Sequence, residues 1–190
     1  KLLYEWRGAP FVGDQLYPLV AVVQVLLPYG HFRWRRLPIR FFESDRVSLA
    51  KSLRLLLVTS VVIFPPFLAA NHLYQSLFFG REFLLRGLPN ALDLLFFQIF
   101  LIALPEEFFF RGWLQPQIGR RWGAKAALFG TALLFAASHS LITLQWWHFA
   151  IFFPAVVFGW LREKTGGITA SVLFHATSNI LTAWIGVCYR

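Results

Sequence analysis

The 190-residue chain has one cysteine and no methionine, and only 14% of its residues are charged. Cys188 by itself cannot close an intramolecular disulfide, and with no CxxC or Cys/His cluster a zinc knuckle is excluded as well. The missing methionine, with Lys1 at the start, points to a piece of a longer reading frame with a further helix ahead of it. Soluble domains carry roughly 25% charged residues, so composition speaks against a soluble globular enzyme and excludes a disordered chain and a coiled coil. There is no GxSxG, no HExxH, no internal repeat, no low-complexity linker and no cleavable signal peptide. What is present is apolar: 57% hydrophobic residues, 18% aromatic, and a mean hydropathy of +0.58. Such a chain is solvated by lipid and anchored at its interfaces by aromatic rings.

Apolar runs long enough to cross a bilayer occur at about 14–30, 53–72, 92–118, 125–144, 146–161 and 168–187. The expectation is an all-α, polytopic membrane bundle of about six helices forming one domain over 1–190. Pro65 and Pro66 should kink the second helix, and the fifth is short with Pro154 inside it. The net charge of +9 raises the question of nucleic acid, but the basic residues sit between the apolar runs, so no nucleic-acid partner is expected. Seven of them (Arg33, Arg35, Arg36, Arg40, Arg46, Lys51, Arg54) fall in the loop after the first run. Arg111, Arg120, Arg121 and Lys125 follow the third, and Arg162 and Lys164 follow the fifth. Against these 13, the opposite set holds 5: Lys1, Arg7, Arg81, Arg86 and Arg190. The positive-inside rule then places 31–54, 119–125 and 162–167 in the cytoplasm and both termini outside. Segment 73–90 reads as an amphipathic stretch on the outer interface.

Ionisable side chains inside membrane helices are costly and mark function by default. Here they fall in three clusters, Glu106-Glu107-Phe-Phe-Phe-Arg111, Phe135-Ala-Ala-Ser-His139 and His175-Ala-Thr-Ser-Asn179. Counted from cytoplasmic borders at Arg121, Lys125 and Lys164, Glu106, His139 and His175 lie 15, 14 and 11 residues into their helices. At a helical rise of 1.5 Å these are depths of roughly 22, 21 and 17 Å. Three helices thus bring polar groups to one level, beyond the midplane of a core about 30 Å thick. Glu107 and Arg111, at i and i+4, share a face and can pair, while Glu106 is turned about 100° away. His175 and Asn179 share a face by the same spacing, as do Phe135 and His139. A carboxylate beside two imidazoles and an amide is equipment for activating water against a carbonyl. Ser138 and Ser140 flank His139 but point to other faces. Glu106, His139 and His175 are also two imidazoles and a carboxylate, a ligand set that zinc accepts. A proton-coupled transporter and a non-catalytic membrane scaffold are further readings. His31, His72 and His148 read as bystanders at interfaces, Phe108–Phe110 as core or lipid contact, and Asp93 and Gln98 as substrate-access contacts.

In this order the motifs EExxxR, FxxxH and HxxxN, with Arg111 continuing into Gly112-Trp113-Leu114-Gln115, resemble the CAAX-processing and bacteriocin-processing (CPBP, or ABI) intramembrane endopeptidases of glutamic type. The resemblance covers about 92–187, the expected catalytic core, and leaves 1–91 as N-terminal membrane helices without motif. It implies that Glu106 and His139 activate the water, that His175 and Asn179 stabilise the oxyanion, and that Glu107, Arg111 and Phe135 support the site. It further implies a reaction without cofactor, zinc being the alternative. The substrate would be a protein or peptide with a membrane-proximal C-terminal processing segment. Compactness makes the chain similar to the bacterial branches, the myxosortase-like enzymes among them, which points to a multi-pass protein of the bacterial inner membrane and away from a prenylated substrate.

Overall fold

The computed structural model describes residues 10–37, 49–143 and 146–189. Helix α1 spans Pro10–Trp34 and α2 spans Leu49–Phe79. Next comes α3, residues 91–122, in which α-helical turns (Ala91–Phe96, Leu104–Glu107) alternate with wider π-helical stretches (Phe97–Ala103, Phe108–Leu114). The helix Gln115–Thr143 is broken at Gly123 (φ 84°, ψ 170°), which separates α3 from α4, residues 124–143. A 3-10 turn at Trp146–Ile151 leads into α5, Phe152–Thr165, and α6 spans Thr169–Cys188. The described residues are helical apart from turns, the irregular segment 80–88 and one isolated bridge, Phe83 with Tyr189.

The described parts of the expected runs lie on helices, but among the described residues only α2 and α6 are long and apolar enough to cross a membrane. The count of six crossings is not reached on that ground. α5 has 14 residues, short of the ~20 that span a bilayer, and α3 is divided by its wide turns. Pro65 and Pro66 lie within the continuous α2, on a stretch where the neighbouring Val61 and Val62 face outward. Pro154 sits in the first turn of α5, where a missing N–H has no intrahelical partner to lose.

Segment 73–90, the expected amphipathic stretch, is not a single element. Its first part continues α2 to Phe79, and Gly80, at φ 60°, ends the helix in a left-handed conformation that glycine adopts without strain. Residues 81–88 then follow without helix, tied to the end of α6 by the Leu84 N–H donating to the Cys188 carbonyl at 2.8 Å and Trp184 Nε1–H to the Arg86 carbonyl at 2.9 Å. Arg111 is not a flanking cytoplasmic charge either, since it is fully buried because an acidic partner lies one turn before it. Lys1, Arg7, Arg40, Arg46 and Arg190, and with them much of the expected 31–54 loop, lie outside the described residues.

The core forms where α3 to α6 meet. Phe110 of α3, Phe135 of α4, Phe158 and Leu161 of α5 and Phe174 of α6 are buried together, and α2 adds Phe64, stacked on Phe174 at 5.1 Å. A second cluster, Ala103, Phe108, Ile168, Val172 and Ala176, binds α3 to α6. Small residues let these backbones approach closely. At Gly159 of α5 an added Cβ would lie 2.8 Å from Leu128 Cδ1 and 3.1 Å from Gln115 Oε1. The same approach lets Gln115 Nε2–H donate to the Gly159 carbonyl at 3.1 Å. Gly159→Val is therefore expected to cost about 1–3 kcal/mol through overpacking. Gly130→Val, with nothing within 4 Å of its Cβ, is expected to leave the thermal midpoint in detergent higher than Gly159→Val does.

Candidate active site

Two of the three motifs hold their own helix face by a local bond. Arg111 Nη1–H donates to Glu107 Oε1 at 2.9 Å across one turn of α3, and both side chains are buried. His139 Nδ1–H donates to the Phe135 carbonyl at 2.9 Å, with the two rings 4.5 Å apart. That bond places the proton of the neutral ring on Nδ1 and turns Nε2 outward from the helix.

Glu106, from α3, meets both histidines. Its Oε1 is 3.9 Å from His139 Nε2 and its Oε2 is 3.7 Å from His175 Nε2. Glu106 Oε2 is buried with no hydrogen-bond partner in the protein. His175 is nearly enclosed at 5% side-chain exposure, whereas His139 retains 30%. One edge of the site is therefore open beside the carboxylate.

Glu107 does more than neutralise Arg111. The same Oε1 accepts the Nδ1–H of His175 at 2.9 Å, so one buried oxygen ties α3 to α6 and fixes which imidazole nitrogen faces Glu106. Arg111 Nη2–H reaches the Ala155 carbonyl of α5 at 2.9 Å. Its guanidinium also lies over Phe135 at 4.5 Å and Phe158 at 5.1 Å, stacking that partly replaces lost hydration. Phe158 lies flat against His175, with centroids 4.6 Å and planes 17° apart.

Sequence reasoning missed the second role of Glu107, the Ala155 carbonyl and Phe158. The first could have been found by counting acceptors, because a carboxylate has room for more than one donor. The other two have no sequence signal, since Ala155 acts through its backbone and Phe158 is one of 22 phenylalanines.

The other singled-out residues have partners of their own or lie elsewhere. Asn179 Nδ2–H donates to Gln98 Oε1 at 2.8 Å. Ser138 Oγ–H is turned back to the Phe135 carbonyl. His31 accepts a hydrogen bond from Trp113 Nε1–H at 3.1 Å, and His72 is bonded to the Tyr189 hydroxyl at 2.7 Å. Phe108 and Phe110 are core residues. Asp93, at the start of α3, is exposed. Among the described residues no group of three His, Cys, Asp or Glu side chains is disposed to hold a metal ion.

Residues 87–181, half of the chain, match the family model described as type II CAAX prenyl endopeptidase Rce1-like. The match contains all three motifs and Gln98. No curated protein and no solved structure gives a significant match.

The buried Arg111–Glu107 pair generates a stability expectation. Removing one partner of such a pair costs about 3–5 kcal/mol, because the other charge is stranded. Arg111→Ala and Glu107→Ala should each lower the thermal midpoint in detergent well beyond Arg121→Ala at the exposed end of α3. Arg111→Lys should recover little, since an ammonium cannot bond Glu107 and the Ala155 carbonyl in the same fork. An unchanged midpoint for Arg111→Ala would show that the arginine is solvated.

Proposed function

We propose, from the premise that the chain belongs to the Rce1-like family of type II CAAX prenyl endopeptidases, that it is an intramembrane endopeptidase in which a glutamate and a histidine activate the attacking water. The family is one of membrane proteases, so the protein is a hydrolase with a membrane-associated protein substrate. The observation that carries the finer reading is the placement of Glu106 between His139 and His175, at 3.9 and 3.7 Å. Separations of this size fit one water hydrogen-bonded to carboxylate and imidazole together.

In the proposed reaction the water stands between Glu106 and His139. Nε2 of His139, the nitrogen that does not carry the Nδ1–H bonded to Phe135, accepts one hydrogen and orients the oxygen. Glu106 takes the other proton as the oxygen attacks the scissile carbonyl carbon. His175, carrying a proton on Nε2 as well as the Nδ1–H that Glu107 holds, and Asn179 donate to the carbonyl oxygen as charge develops on it. Collapse of the tetrahedral intermediate breaks the C–N bond, and Glu106 returns the proton to the leaving amine. Glu107, Arg111 and Phe135 hold these groups in register. The substrate presents a membrane-proximal C-terminal segment, and the helices form a multi-pass bundle in a bacterial inner membrane.

The test is cleavage of C-terminal peptides, with and without a prenyl group, by purified protein in detergent or liposomes. Glu106→Ala, His139→Ala and His175→Ala should each lower turnover at least about a hundredfold. A double variant should be little worse than a single one, because the three act as a unit. A single variant that keeps wild-type turnover removes that residue from the site. Hydrolysis without a metal predicts that activity survives a strong chelator. Activity lost on chelation and restored by zinc, with stoichiometric zinc in the protein, would favour the zinc reading.

A further inference from the structure

We infer that Gln98 is a positioning residue for Asn179, setting the direction in which that side-chain amide presents its hydrogens. This rests on the proposed role of Asn179 at the carbonyl oxygen. An asparagine amide carries two N–H groups, and unless something holds the plane, both rotate with the side chain. Gln98 Oε1 accepts one of them at 2.8 Å. The amide is thereby held in one orientation, with its second N–H to offer to substrate, on the same face of α6 as His175 one turn away.

The backbone explains how Gln98 comes to be there. Gln98 precedes Glu106 by eight residues, which in a regular α-helix turn through about 800°, leaving the two side chains roughly 80° apart. The intervening stretch Phe97–Ala103 is π-helical, and its i to i+5 bonding inserts an extra residue. Eight residues then cover the rotation of about seven, near 700°, which brings Gln98 and Glu106 onto nearly one face. Both meet α6, Glu106 at His175 and Gln98 at Asn179. Wide turns of this kind are uncommon and recur at functional sites. Here the turn converts two positions that would diverge into a pair facing one partner helix.

The peptide-cleavage assay described above tests this with Gln98→Met, which keeps length and removes the acceptor, and Gln98→Glu, which keeps an acceptor oxygen. Gln98→Met should lower kcat about tenfold or more with KM and the thermal midpoint unchanged, while Gln98→Glu stays within about threefold of the wild type. This loss is bounded by the hundredfold to thousandfold that removal of an oxyanion donor costs. If Gln98 acts through Asn179, Gln98→Met combined with Asn179→Ala should be no slower than Asn179→Ala alone. The Asn179 side-chain amide resonances should move in Gln98→Met, a readout independent of turnover. Wild-type kcat in Gln98→Met, a Gln98→Glu variant as slow as Gln98→Met, or losses that multiply in the double variant would each overturn the inference. Full activity in Asn179→Ala would instead refute the role of Asn179 itself, and the positioning role with it.

Discussion

One buried carboxylate oxygen, Glu107 Oε1, receives both the guanidinium of Arg111 and the imidazole of His175 at 2.9 Å. In an apolar interior no water replaces either donor, so separating the helices would strand an arginine, a carboxylate and an imidazole at once. The remaining geometry depends on this junction. It holds α6 against α3 at the height of the motifs, and through Arg111 and the Ala155 carbonyl it brings α5 to the same point. Phe135 and Phe158 enclose the guanidinium, and each also packs on a histidine. The same residues thus bury the charge and orient the imidazoles.

A division of labour between adjacent carboxylates follows. Glu107 receives two donors at 2.9 Å on its Oε1 and is structural, whereas Glu106 faces two imidazole nitrogens at distances too long for direct hydrogen bonds; each carboxylate keeps a buried Oε2 without a protein partner. Neighbours in sequence, they differ because about 100° of helix rotation sends one toward the Arg111 junction and the other toward the open side.

Legibility in the sequence followed the range of the interaction. The i, i+4 pairs Glu107–Arg111 and Phe135–His139 were readable because helical periodicity determines them, and the meeting of Glu106 with both histidines followed from matched depth. Contacts between helices depend on azimuth and crossing, which periodicity leaves open. Glu107 with His175, Phe158 with His175 and Gln98 with Asn179 could not be read for that reason. Charge counting placed Arg111 with the flanking residues because it weighs a basic residue by position and not by partner. How the 73–90 stretch is built was not readable, because apolarity does not distinguish the last turns of a helix from an irregular segment pinned to another element by Leu84 and Trp184.

That pinned segment also governs how the motif-bearing half is held in the chain. Phe83 and Leu84, just ahead of this half, meet Tyr189 and Cys188 at its far end, and His72 of α2 joins Tyr189. Entry and exit of about a hundred residues therefore share one clasp. The bridge is antiparallel, so tension applied along the polypeptide from both sides pulls its two partners apart at the same end and must open the clasp bond by bond before it passes further. The helices carrying Glu106, His139 and His175 hang inside the loop it closes and are spared the load.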